Sequence, residues 1–148
     1  MRLARGEAAP PVAGVTFDGP HALMFYKVTC PTCRLAAPAF ERFASAYPGR
    51  TQGVGQDPAE ALDRFSVETG MTFDTTPDLA PYPASVAYGI EHVPTLVVVD
   101  SEGRVADAVE SWDRDGVNRA SSTLAALVGT DPVVISEPRD GLPDFRPG

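Results

Sequence analysis

Lysine is almost missing from this chain of 148 residues: Lys27 stands alone, the other basic residues are arginines, and twelve basic against twenty acidic side chains leave a net charge of -8. A nucleic-acid binder needs clustered phosphate-neutralising groups, which so acidic a balance does not supply. The same shortage argues against docking on anionic lipid. Long hydrophobic runs are missing too. The greasiest stretch, Leu96 to Val99, is far short of the roughly 20 apolar residues of a membrane span. The Ala/Pro-rich start MRLARGEAAPPVAGV lacks the apolar block of about 7 to 15 residues that marks a secretory signal. A cytoplasmic protein without membrane or nucleic-acid partners is the expectation.

Cysteine and histidine are equally scarce, two of each. A chain of this length buries about two thirds of its unfolded surface, enough for a core without disulfide staples. In a reducing compartment a close cysteine pair is catalytic, redox-sensing or metal-binding more often than it is a structural bridge. Zinc on the two thiols would need two further ligands, with only His21 and His92 available.

Fifteen prolines and thirteen glycines punctuate what remains. Residues 1 to 13 read as a flexible segment. Ala22 to Val28 reads as a buried strand ending at Cys30, and Leu35, Ala36, Phe40, Phe43 and Ala44 recur at helical spacing behind it. Pro31 suits a first helical turn, Pro38 predicts a kink within one helix, and Pro48-Gly49 stops it. Gln52 to Gly55 predicts a second strand. Asp57-Pro58 looks like a cap and first turn for a helix over 59 to 69, with a short strand at 71 to 75 and a brief helix at 84 to 88. Thr95 to Asp100 and Arg104 to Ser111 flank Ser101-Glu102-Gly103 as an antiparallel hairpin. A helix over 117 to 127 closes the pattern. The order predicts an α/β fold with a central mixed β-sheet flanked by helices. The domain is expected over 14 to 130, followed by a proline-rich tail, 131 to 148, lying on it or partly disordered.

Cys30-Pro31-Thr32-Cys33 sets two thiols three positions apart where a strand hands over to a helix. Side chains at i and i+3 share a helix face, so the sulfurs can approach one another. The first also meets the unpaired N–H groups and positive dipole end of the helix, which favour thiolate over thiol. Cys30 is then the attacking group and Cys33 the resolving one, a pattern suited to dithiol/disulfide exchange.

The run from Phe25 through Cys30-Pro31-Thr32-Cys33 and Arg34 to Pro38 resembles the active-site strand and kinked helix of the thioredoxin superfamily. Tyr88-Gly89-Ile90-Glu91-His92-Val93-Pro94-Thr95-Leu96 is similar to the family's entry into its cis-proline strand. The resemblance covers about residues 14 to 128 and implies a thioredoxin-like fold. It further implies a cis Val93–Pro94 bond against the Cys30 sulfur and a Val93 backbone offered to substrate as a strand edge. The long interval between the two motifs, with a surplus in roughly 53 to 83, resembles TlpA-like thiol reductases and the alkyl hydroperoxide reductase/thiol-specific antioxidant group. The implied function is a thiol-disulfide oxidoreductase acting on protein or small-molecule disulfides, recharged by a separate electron donor, with no resident cofactor or metal. Thr29 stands where thioredoxins carry tryptophan, and Met24 where they carry a buried aspartate, so the family's proton acceptor for Cys33 is absent.

The substrate edge is expected to comprise Pro31, Thr32, Val93 and Pro94, with His92 and Trp112 beside it. His92 is either a loop histidine or a group that tunes Cys30 or ligates metal with the thiols. Trp112 is either an exposed anchor for a partner or a core residue under the last helix. Arg34 adds positive potential near the thiols or simply lies on the surface. Two other activities fit the thiols: a peroxiredoxin-like peroxidase, against which Lys27 and Thr29 depart from the usual peroxidatic pattern, and a soft-metal carrier using Cu(I)–thiolate bonds. A non-enzymatic adaptor is the remaining option.

Overall fold

The computed structural model describes residues 2–148. Its frame is a five-stranded mixed sheet whose middle strand, β1 (His21–Tyr26), runs into the cysteine motif. β1 pairs in parallel with β2 (Thr51–Gly55) and antiparallel with β4 (Thr95–Val99). β3 (Thr75–Pro77) extends the sheet beyond β2, and β5 (Val105–Glu110) forms the opposite edge.

Strict alternation along the central strands gives the sheet two buried faces. Ala22, Met24 and Tyr26, with Leu96 and Val98, meet the apolar sides of α1 (Pro31–Ala46), α2 (Ala59–Thr69) and α4 (Arg114–Val128). Leu23, Phe25, Val97 and Val99 point the other way, toward Val12, Tyr88 and α3 (Pro83–Ala87). A strand buried on both faces carries continuous hydrophobic sequence, as LMFY and TLVVV do.

The second face explains a departure from the expected flexible start. α3 is only five residues long and cannot cover that face alone. Leu3, Ala9, Val15 and Phe17 pack against it alongside the buried Val12. Backbone bonds from Gly6 and Ala9 to the Val105 and Gly103 carbonyls, and from Val105 back to Glu7, fix the segment along β5. The 131–148 tail is likewise held. Ile135 and Ser136 are buried, and β7 (Phe145–Arg146) pairs antiparallel with β6 (Trp112–Asp113) in a small second sheet.

Helix α2 has the bounds expected of it, but Asp57 does not cap it. Pro58 occupies the cap position with no side-chain bond; the Asp57 carboxylate instead accepts from the Val28 amide at 2.9 Å, so it braces the loop before the cysteines. α4 starts three residues early because Asp113 accepts from the Gly116 amide at 3.1 Å as an N-cap. Pro38 lies within α1, which is one continuous helix. Among the described residues no helix is long and apolar enough to cross a membrane.

Candidate active site

Cys30 is the residue at which β1's outgoing loop becomes α1. It has extended backbone angles (φ -85°, ψ 115°), Pro31 follows at the first helical position, and its sulfur accepts from the Cys33 amide at 3.1 Å. A proline there loses no bond, because the first N–H groups of a helix have no partner within it. The cap role usually filled by a hydroxyl or carboxylate is filled here by sulfur. In its thiol form Cys30 also donates to the Val93 carbonyl at 3.4 Å.

Both cysteines are free thiols in this structure. Cys30 is half-buried, whereas Cys33 is 2% exposed. Burial pushes the Cys33 thiol well above its ordinary range, and Cys30 beside it adds to the shift. The pair is therefore unequal: one sulfur with a donor and partial access, one neutral and sheltered.

The Val93–Pro94 peptide is cis. Pro94 is buried and Val93 half-buried, and the Ser111 amide donates to the Pro94 carbonyl at 2.8 Å, which ties this bend to the end of β5. Thr32 is 3% exposed and donates to the Pro147 carbonyl at 2.7 Å; Pro31 lies exposed on the rim. The sequence-predicted residues Cys30, Cys33, Pro31, Thr32, Val93 and Pro94 thus occupy one locality.

Two expected members are placed otherwise. Trp112 is 0% exposed; its ring meets Phe40 edge-on at 6.4 Å and its Nε1 donates to the Pro143 carbonyl at 2.7 Å. It is a core residue, because the tail closes over it, and offers no anchor to a partner. His92 Nε2 lies 3.6 Å from Glu110 Oε1, and no group of three or more metal-ligating side chains is found among the described residues. Arg34 lies over the Phe65 ring at 5.0 Å and pairs with Glu68 at 3.6 Å.

Three participants escape motif reading. Asp57 braces the loop from 29 positions away. Ser111, at φ +69°, accepts from the Gly148 amide at 3.1 Å. Tyr26 is fully buried on the Cys33 side of β1, and its hydroxyl makes no well-formed hydrogen bond among the described residues. Burial pushes that phenol up to about 12; Thr75 pulls against this, while the negative charge on Asp57 and Asp63 adds to it. Met24, at the strand position where the resemblance leads one to expect an acid, is packed into the core.

No protein-family model and no curated protein matches the chain. Solved structures do. DsbF of Mycobacterium tuberculosis, solved in mixed oxidised and reduced forms, is 26% identical, with 74% of this chain and 81% of that one covered at a TM-score of 0.62. The thioredoxin domain of a thiol-disulfide oxidoreductase from Bacteroides vulgatus is 19% identical, covering 82% and 99% at a TM-score of 0.68. Peroxidoxin BcpB of Mycobacterium tuberculosis is 25% identical, covering 74% and 80% at a TM-score of 0.60.

Proposed function

We propose that this chain, an oxidoreductase of the thioredoxin superfamily and its TlpA-like group, reduces disulfides by exchange through the Cys30–Cys33 pair. The observation that carries the reading is the asymmetry of the two sulfurs: Cys30 receives the Cys33 amide and is partly accessible, while Cys33 is buried behind it. The Cys30 thiolate attacks one sulfur of a substrate disulfide, forming a mixed disulfide and releasing the other sulfur as a thiolate that takes up a proton. Cys33 then gives up its proton and attacks Cys30 Sγ. The substrate leaves with both sulfurs as thiols, and the enzyme holds a Cys30–Cys33 disulfide. Two electrons have moved to the substrate, and a separate dithiol donor must return them.

Protein disulfides are the favoured substrates, since the Val93 backbone lies beside the attacking sulfur where an extended chain can align. Pro31, Thr32, Val93 and Pro94 form the proposed contact edge. Burial keeps Cys33 protonated until the mixed disulfide forms, and with Met24 in place of an acid its proton leaves to water. Reduction is the proposed direction and the cytoplasm the compartment that suits it, because a dithiol stays charged where glutathione and thioredoxin keep thiols reduced.

The test is a pair of single variants. Cys33→Ser is expected to capture a disulfide substrate as a stable adduct on Cys30, and Cys30→Ser to capture none. Adducts on Cys33, or on neither residue, would reject the reading. A thiol peroxidase is the second reading, favoured by the similarity to peroxidoxin BcpB. It requires Cys30 sulfenic acid to form with peroxide far faster than on a free thiol.

A further inference from the structure

We propose that the groove beside Cys30 is a site for an extended peptide strand and that residues 145–148 of the chain itself are its resident occupant, which a substrate polypeptide must displace. The inference rests on the exchange reading above and adds what lies in the substrate's way.

The geometry is that of strand addition. Phe145 and Arg146 pair antiparallel with Asp113 and Trp112, and the chain then turns its backbone onto each element framing Cys30. The Pro147 carbonyl takes the Thr32 hydroxyl, and the Gly148 amide donates to Ser111 Oγ. Gly148 lies so close to the Val93 backbone that a β-carbon there would collide with the Val93 carbonyl, the same oxygen that accepts from Cys30 Sγ.

Two consequences follow for what this groove takes. At 147 the bond is made by the backbone carbonyl, so recognition at that position tolerates many side chains, as strand addition generally does. The position over Val93 admits only a glycine-like residue, so the matching ligand is an extended polypeptide with a small residue there.

The occupant is also lightly held. Phe145 is 56% exposed and residues 146–148 are exposed, so little apolar burial opposes release. Upstream, the tail is anchored independently by Arg114, which donates to the Leu142 carbonyl and Ser136 Oγ. Residues 145–148 can therefore lift while 135–144 stay docked. A substrate binds only the fraction of molecules in which the groove is open, and its apparent affinity is reduced by that fraction.

The test uses the full chain carrying Gly148→Leu, which forces its end off Val93, and separately Ser111→Gly, which removes the Gly148 acceptor at a positive-φ position that glycine adopts freely. Alkylation of Cys30 by iodoacetamide and reduction of a disulfide-linked peptide are each expected to accelerate roughly fivefold in both variants, the scale of one lost hydrogen bond. Wild-type rates for both reactions in both variants would overturn the proposal. Accelerated alkylation in proteins that exchange with no disulfide would refute the exchange reading and leave the covering segment in place. Unchanged peptide reduction in proteins that do exchange would refute the covering segment alone.

Discussion

The buried guanidinium of Arg114 reaches Ser136, donating through Nε to its hydroxyl at 3.1 Å. The same side chain donates to the Leu142 carbonyl at 2.6 Å and pairs with Asp140 and Asp144, so one residue at the start of α4 bonds the tail at several positions, alongside Asn118 and Arg42 on Ile135. Arg114→Met is expected to cost about 2 kcal/mol, less than the roughly 3 to 5 for breaking a wholly buried pair, because its acidic partners keep contact with water. Urea unfolding measures the loss, and limited proteolysis should now cut within 131–148. A change within about 0.5 kcal/mol, the range of ordinary surface substitutions, would show that the tail is held by other contacts.

Tyr26 offers the opposite prediction. Its hydroxyl is buried without a well-formed partner, and a buried polar group left unsatisfied costs about 1 to 3 kcal/mol. Tyr26→Phe keeps the ring against Phe65, 5.4 Å away, and removes the liability. The variant should be more stable by about 1 kcal/mol, read from the shift in denaturant midpoint. Loss of stability would mean that the hydroxyl is satisfied in solution.

His21 introduces a pH dependence. Its ring stacks on Phe17 with 4.2 Å between centroids, and burial holds the imidazole below its ordinary value of 6.5; the bond to the Gly19 carbonyl opposes this shift and Arg50 adds to it. The unfolded chain therefore takes up the proton more readily than the fold does. Its contribution is present above about pH 6.5 and is lost as pH falls through the lower folded value. Between pH 7.5 and 5 the wild type should lose more stability than His21→Gln, compared by urea midpoints at each pH. Equal losses would remove His21 from the account.

The loop ahead of Cys30 depends on the Asp57 carboxylate, which accepts from the Val28 amide. Asp57→Ala should lower stability by about 1 to 3 kcal/mol, the cost of a half-buried donor left unpaired, and slow the attack of Cys30 on a small disulfide. Unchanged attack in a measurably destabilised variant would confine Asp57 to a structural role.

The central frame was legible because its signals are local. The strand over 21–26, the helices over 31–46 and 59–69 and the hairpin at 95–110 each carry their own periodicity or turn residues. Cys30 and Cys33 were equally readable, since their spacing at a strand-to-helix junction puts one thiol at the cap and the other within the first turn of α1. What could not be read depends on distant partners. Residues 2–13 look featureless until the second sheet face, with α3 too short to cover it, supplies a surface for Val12 and Phe17. Trp112 was ambiguous for the same reason: its burial depends on Pro143 closing over it from 31 positions away. Asp57 has the composition of a helix cap, and only the folded loop shows that Val28 claims it.

Reversible two-electron chemistry of the Cys30–Cys33 pair underlies the proposed function. Redox titration of the full chain in thiol/disulfide buffers, read by the two-hydrogen mass difference between dithiol and disulfide, tests it. The expected result is a single two-electron transition, absent in Cys30→Ser and Cys33→Ser, with a potential near or below about -220 mV, as reduction of substrate disulfides against a glutathione pool requires. A potential far above that would reverse the direction of flow. Thiols that never link across the titration would contradict the account itself.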